Sequence, residues 1–245
     1  MILRRFAKAL RQQDWPAVLI EVMIVVVGVY IGLQADNWNS QRGERALEVE
    51  YLARLHADVL RSLQAQADAV RWNEQRLEQQ QFLLAALRSA QLDEAGRSTF
   101  DRSLMLLGYL NRPIMHRSTL AELMSTGRMS VITDTKLREL IGRTDAEFDR
   151  RMHLNAGIES RINAYRLQIA PQFQIVDFER DANGEVELAY DFAELAADHK
   201  FVSLASHINF ESRLQHLSTA NFTPELERLR DALAARIDEP PGTGD

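Results

Sequence analysis

From Pro16 to Leu33 the chain holds eighteen residues, of which only Glu21 is ionisable. A helix needs about 20 largely apolar residues to cross a hydrocarbon layer ~30 Å thick. With Ala35 and the flanking Trp15 and Trp38, this run is long enough, and a transmembrane helix is expected over residues 16–38. A water-soluble amphipathic helix would bring a polar residue round every three or four positions, whereas residues 22–33 offer only Tyr30. A basic start, an apolar run and Leu33-x-Ala35 also resemble a cleavable export signal, but the run is longer than the usual apolar core of about 7–15 residues. Gln34 and Asp36 make a poor cleavage context, so an uncleaved anchor is the expectation.

Charge sets the orientation. Residues 1–14 carry Arg4, Arg5, Lys8 and Arg11 against Asp14, a net of +3 in a chain whose total is -6, which leaves -9 on the remainder. Basic residues stay on the cytoplasmic side of a span. Residues 1–15 are therefore expected as a basic cytoplasmic stub and residues 44–238 as a domain on the far side, which in a bacterium places the protein in the inner membrane with its C-terminal domain in the periplasm. A stub of about fifteen residues is too short for a kinase or cyclase output domain. Trp15, Glu21, Asn37, Trp38 and Asn39 fall at the membrane interfaces. Tryptophan anchors there, and Glu21, about a turn and a half from Trp15, reaches the inner headgroups or a polar partner helix. Gly28 and Gly32 form a GxxxG on one helix face, a spacing that lets two backbones pack closely. The plainer alternative is small residues merely tolerated in a span.

The rest reads as helix. Ala, Leu, Glu, Gln and Arg recur, with Gly at 11 and Pro at 6, and unbranched side chains lose little rotamer freedom in a helix. Tyr51, Leu55, Val59, Leu63, Ala67, Val70, Leu77 and Leu84 make one apolar stripe to about Ala95. It is either one long helix or a hairpin broken near Trp72-Asn73. Gly96 is expected to end it and Ser98-x-x-Asp101 to cap the next helix, which Pro113 stops. Thr119-x-x-Glu122 opens a short helix closed by Gly127, and a longer one runs from Asp134 to about Ala170. Asp181-Ala-Asn-Gly184 forms a turn between Ile175–Phe178 and Val186–Leu188, a candidate hairpin. Helices resume over 193–217 and 224–237, the last with Thr223 as cap and Pro224 at its first position, and residues 239–245 make a disordered tail. The expected fold is thus mainly all-α: one transmembrane helix followed by an antiparallel bundle of long helices, with room for one small β-hairpin.

Two stretches carry a family resemblance. "VVVGVYIGLQADNWNSQRGE" (25–44) is similar to the N-terminal signature of an uncharacterised bacterial family of single-pass membrane proteins, in which an apolar span ends in a Gly-Leu-Gln-x-x-Asn-Trp-Asn pattern. Gly32, Leu33, Gln34, Asn37, Trp38 and Asn39 carry the match. "STLAELMSTGRMSVITDTKLRELI" (118–141) resembles a second family segment through Leu123, Gly127, Ile132 and Leu137. The likeness covers the N-terminal segment well, the middle moderately and residues beyond about 175 hardly at all. It implies the topology above and no activity.

Chemistry is sparse. Without cysteine there is no disulfide, thiolate zinc site or cysteine nucleophile, and a net charge of -6 argues against nucleic acid as a partner. Six histidines are scattered, and Asp149 with His153 and His207 with Glu211 are one turn apart, a spacing for surface helix contacts rather than a metal site, which needs three or four ligands. There is no GxSxG, P-loop or GxGxxG. No catalytic residue, cofactor or metal is expected. Met124 and Met129 read as gap-filling core residues. Gly127 with Arg128 sits in a tight bend, read either as a helix C-cap or as a contact surface for a partner. The functional expectation is a structural or protein-interaction module whose partners are the lipid bilayer and either a second copy or another envelope protein. The alternative is a periplasmic ligand sensor that signals through a membrane partner.

Overall fold

A computed structural model describes the backbone of residues 15–178 and 186–238, with side chains except at 15–19, 21, 35–37, 39, 177, 178 and 186. Residues 1–14 of the basic stub, the turn at Asp181–Gly184 and the tail 239–245 lie outside the described residues. The fold is mainly helical, with long helices and one small antiparallel sheet. In chain order the elements are α1 (Trp15–Ser89), α2 (Glu94–Met105), α3 (Ser118–Ser125), a 3-10 turn at Arg128–Val131, α4 (Thr135–Ile169), a second at Ala170–Gln172, β1 (Gln174–Phe178), β2 (Val186–Ala189), α5 (Phe192–Ala197), α6 (His199–Ala220) and α7 (Thr223–Asp238). The chain divides into two compact units, residues 1–50 and 51–245.

Helix α1 does not break at Trp72-Asn73. Asparagine is a weak helix former because its amide competes for backbone groups, but Asn73 is fully buried and spends that amide elsewhere. Its Nδ2 donates to the Asn111 carbonyl at 2.9 Å and its Oδ1 accepts from the Asn111 N–H at 2.7 Å. The helix stops at Ser89 rather than at Gly96, with Ala90 in the left-handed region at φ 51°. Gly96 lies in the first turn of α2, where Asp93 caps the helix by accepting from the Gly96 N–H at 2.8 Å. Ser98 is not the cap. Replacing Ala90 by glycine removes a left-handed Cβ that costs ~1–2 kcal/mol, less some unfolded-state entropy. Ala90→Gly is expected to raise the urea midpoint by an amount equivalent to about 1 kcal/mol.

The main core joins Leu83, Leu84 and Leu87 of α1 to Phe100 and Leu104 of α2, Ile158 and Ile162 of α4, Leu188 of β2, and Phe201, Leu204 and Ile208 of α6. Helices α4 and α6 run antiparallel. Arg161 meets Glu211 and Asn155 meets Ser218, so the contact moves down one helix as it moves up the other. A smaller cluster of Phe148, Phe222 and Leu226 seats α7, with Leu63, Met115 and Met152 against it. Strands β1 and β2 pair antiparallel, with Ile175 opposite Leu188. The single helix expected over 193–217 is split at Asp198, whose carboxylate accepts from the Lys200 and Phe201 N–H groups at 2.8 and 3.2 Å and so starts α6 afresh.

The middle of α1 departs from the expected stripe. Leu63, Ala67 and Val70 are only half-buried, while Asp58, Ser62, Gln66 and Asn73 are buried between them. These polar residues follow the helical repeat and form a ladder that holds the backbone of the non-helical segment 111–117 and the start of α3. Asn73 takes Asn111, the Gln66 side-chain Oε1 accepts from the Ile114 N–H at 3.0 Å, and the Ser62 hydroxyl from the His116 N–H at 2.8 Å. Asp58 accepts from the Thr119 N–H at 2.9 Å and the Ser118 hydroxyl at 3.0 Å, which makes it the cap of α3 from outside that helix. Residues 111–117 have no regular structure in which to pair their N–H groups, and this row of side chains takes those of Asn111, Ile114 and His116.

Candidate functional site

Within residues 1–50, α1 presents a bare apolar surface. Eleven large side chains between Ile20 and Leu33 are 50–67% exposed, Tyr30 among them. Among the described residues, a Cβ added at Gly28 or Gly32 would meet no atom within 4 Å, so packing inside the chain does not require glycine at either position. Trp38 is exposed, with the Arg42 guanidinium 4.7 Å from its ring. That stacking is a cation–π contact, of modest gain at an exposed site. The side chains of Trp15, Glu21, Asn37 and Asn39 lie outside the described residues. Among the described residues, no helix is long and apolar enough to cross a membrane.

Within residues 51–245, the segment with the second resemblance spans α3, the 3-10 turn and the start of α4. Leu123 and Ile132 are fully buried and Leu137 nearly so. Gly127 sits at φ 67° just past α3 and donates its N–H to the Met124 carbonyl at 3.2 Å, the geometry of a C-terminal helix cap. Arg128 is exposed beside it, and Met124, expected in the core, is 59% exposed. The expected capping-box role of Glu122 is not filled. Its carboxylate instead accepts from the Tyr51 hydroxyl at 2.8 Å and from both terminal nitrogens of Arg54, fastening α3 to α1. Arg54 and then Tyr51 hold the Glu122 carboxyl below its ordinary pKa.

The histidine–carboxylate pairs do not form. Asp149 gives its carboxylate to Arg117 at 2.9 Å, and His153 turns Nδ1 to the Asp149 carbonyl at 2.7 Å. Glu211 is held by both Nε and a terminal nitrogen of Arg161 at 2.7 Å each, while His207 stacks on Tyr165 with ring centres 5.6 Å apart. No group of three potential metal ligands occurs among the described residues. The fold does create one polar cluster that no short motif announced. The Tyr190 hydroxyl donates to the buried Asp101 carboxylate at 2.5 Å, and the Arg97 guanidinium lies 4.2 Å from the phenol ring. Burial and then the adjacent Asp101 push the phenol well above its ordinary pKa. A phenol held protonated in this way pins β2 to α2 and is no general base. No family model matches the chain, and neither a curated protein nor a solved structure does.

Proposed function

We propose that the chain is a single-pass inner-membrane protein whose C-terminal helical domain serves in the periplasm as a structural and protein-interaction module, joined to a second copy through its span. The apolar helical surface from Val22 to Leu33 carries the reading. Contiguous apolar area of this extent is costly in water and stable in hydrocarbon. The excess of basic residues ahead of the run supports the orientation. Gly28 and Gly32, left open within the chain, suit a face-to-face approach of two such helices.

The test has two parts. Alkaline phosphatase fused after residue 245 is expected to be active, and the fusion to stay in the membrane pellet through carbonate washing; an inactive fusion, or one released by carbonate, overturns the placement. Crosslinking in native membranes is expected to trap a dimer whose yield drops several-fold when Gly28 and Gly32 are both changed to Leu. An unchanged yield removes the glycine face from the contact.

A further inference from the structure

Near the C-terminal end of α4 lies an open hollow of about 290 Å³ between α4, Phe173 and the loop after α2. Leu104 and Ile169, each 2% exposed, line it together with Phe173, and Tyr109 and Asn163 stand at its rim. Its only charged side chain is Arg166, whose guanidinium carbon is 3.7 Å from the centre of the Tyr109 ring. At that distance the cation lies on the ring face, and a stacked guanidinium keeps its in-plane N–H donors available to an acceptor. Arg150, Arg151 and Arg161 of the same helix each hold a carboxylate. Arg166 holds none among the described residues, although acidic side chains outnumber basic ones in the chain. Two other hollows are lined mainly by acidic side chains. One is lined by Asp93, Glu94, Asp101 and Glu187, with Arg97 already paired to Asp101, the other by Asp191, Glu194 and Asp198.

We propose that this hollow is a binding site for a small monocarboxylate with an aromatic or short branched apolar body. The carboxylate takes the Arg166 guanidinium edge and the Asn163 amide, and the body lies against Leu104, Ile169 and Phe173. A volume at the low end for ligand pockets limits the body to about one ring. One uncompensated cation matches a single negative charge, and the apolar lining disfavours a fully hydrated anion such as phosphate. The site deepens the sensor alternative, because it supplies a ligand class for that reading, yet it does not depend on membrane placement.

The probe is 3-phenylpropionate, titrated calorimetrically into the purified full-length protein in detergent, with empty micelles as blank and 3-phenylpropanamide as the uncharged comparison. Saturable one-site binding is expected, the acid about tenfold tighter than the amide or better, since a charge-assisted bidentate contact exceeds a neutral one. Arg166→Gln is expected to bring the two within about twofold. Leu167→Glu, at a lip position that is 76% exposed and so harmless to folding, is expected to weaken the acid several-fold and leave the amide unchanged. Absence of saturable binding, equal affinities for acid and amide, an undiminished preference in Arg166→Gln, or inorganic phosphate binding as well as the acid each overturns the proposal. Because the measurement is blind to topology, its failure leaves the membrane placement standing, and the reverse also holds.

Discussion

Gly108→Ala is expected to destabilise the domain by several kcal/mol, on the order of 2–5. Two costs add at this position. Gly108 has φ +84°, a left-handed conformation that a Cβ penalises by ~1–2 kcal/mol. The new Cβ would also stand 2.5 Å from Ile162 Cγ2 and 2.9 Å from Ile208 Cγ2. Both isoleucines are buried in the main core between α4 and α6, so neither methyl has room to withdraw. Overpacking of that kind costs ~1–3 kcal/mol. Gly127→Ala separates the two terms. Its φ of +67° carries the same backbone penalty, but among the described residues a Cβ there would meet nothing within 4 Å. The difference between the two urea midpoints therefore measures the clash alone, and equal midpoints would mean that Gly108 is not the close crossing described.

Asp58→Ala is expected to cost about 3 kcal/mol. The carboxylate is 3% exposed and serves the Thr119 N–H, the Ser118 hydroxyl and the Arg61 guanidinium at once. Removing it strands donors at the start of α3 and leaves the junction of segment 111–117 with that helix unfastened. Burial alone would raise the Asp58 pKa, but the Thr119 N–H, with Arg61 and Ser118, pulls it below the ordinary value. The sign follows from linkage. A carboxyl with a depressed folded pKa contributes its full stability above the unfolded value, about 3.9, and loses it as pH falls through the lower folded value. Asp58→Asn keeps the shape and one acceptor but cannot ionise. It should cost roughly half as much as the alanine at neutral pH and flatten the decline of stability below about pH 4. Urea unfolding at pH 3, 4, 5 and 7 checks both; an undiminished acid decline in the asparagine variant would assign it to other carboxyls.

What was legible in the sequence was local. Asp134 caps α4 where short-range rules place it, and Gly127 bends left-handed after a short helix as a C-cap glycine does, whereas α7 begins at Thr223 itself, with the Phe222 carbonyl taking N–H groups of its first turn. The pairing of β1 with β2 follows alternation over a few residues. Where those rules competed with distant partners they failed. Asp93 capped α2 in place of Ser98, and Ser98-x-x-Asp101 misled because Asp101 is claimed by Tyr190, 89 residues away. The Arg166 hollow was invisible for a similar reason: its lining comes from α2, the loop after it and the end of α4, and no spacing in the chain brings these together.

By itself the sequence determined helix as the dominant element and set apart the apolar run 16–33, because rotamer freedom and side-chain hydrophobicity belong to single residues and their near neighbours. The tertiary structure alone decided that α1 runs unbroken past Asn73 and that Asp58, Ser62, Gln66 and Asn73 turn inward. Their partners include backbone groups 38–61 residues further along the chain and, for Gln66, the Thr219 carbonyl. A polar side chain enters a core only when such a group is already there to meet it.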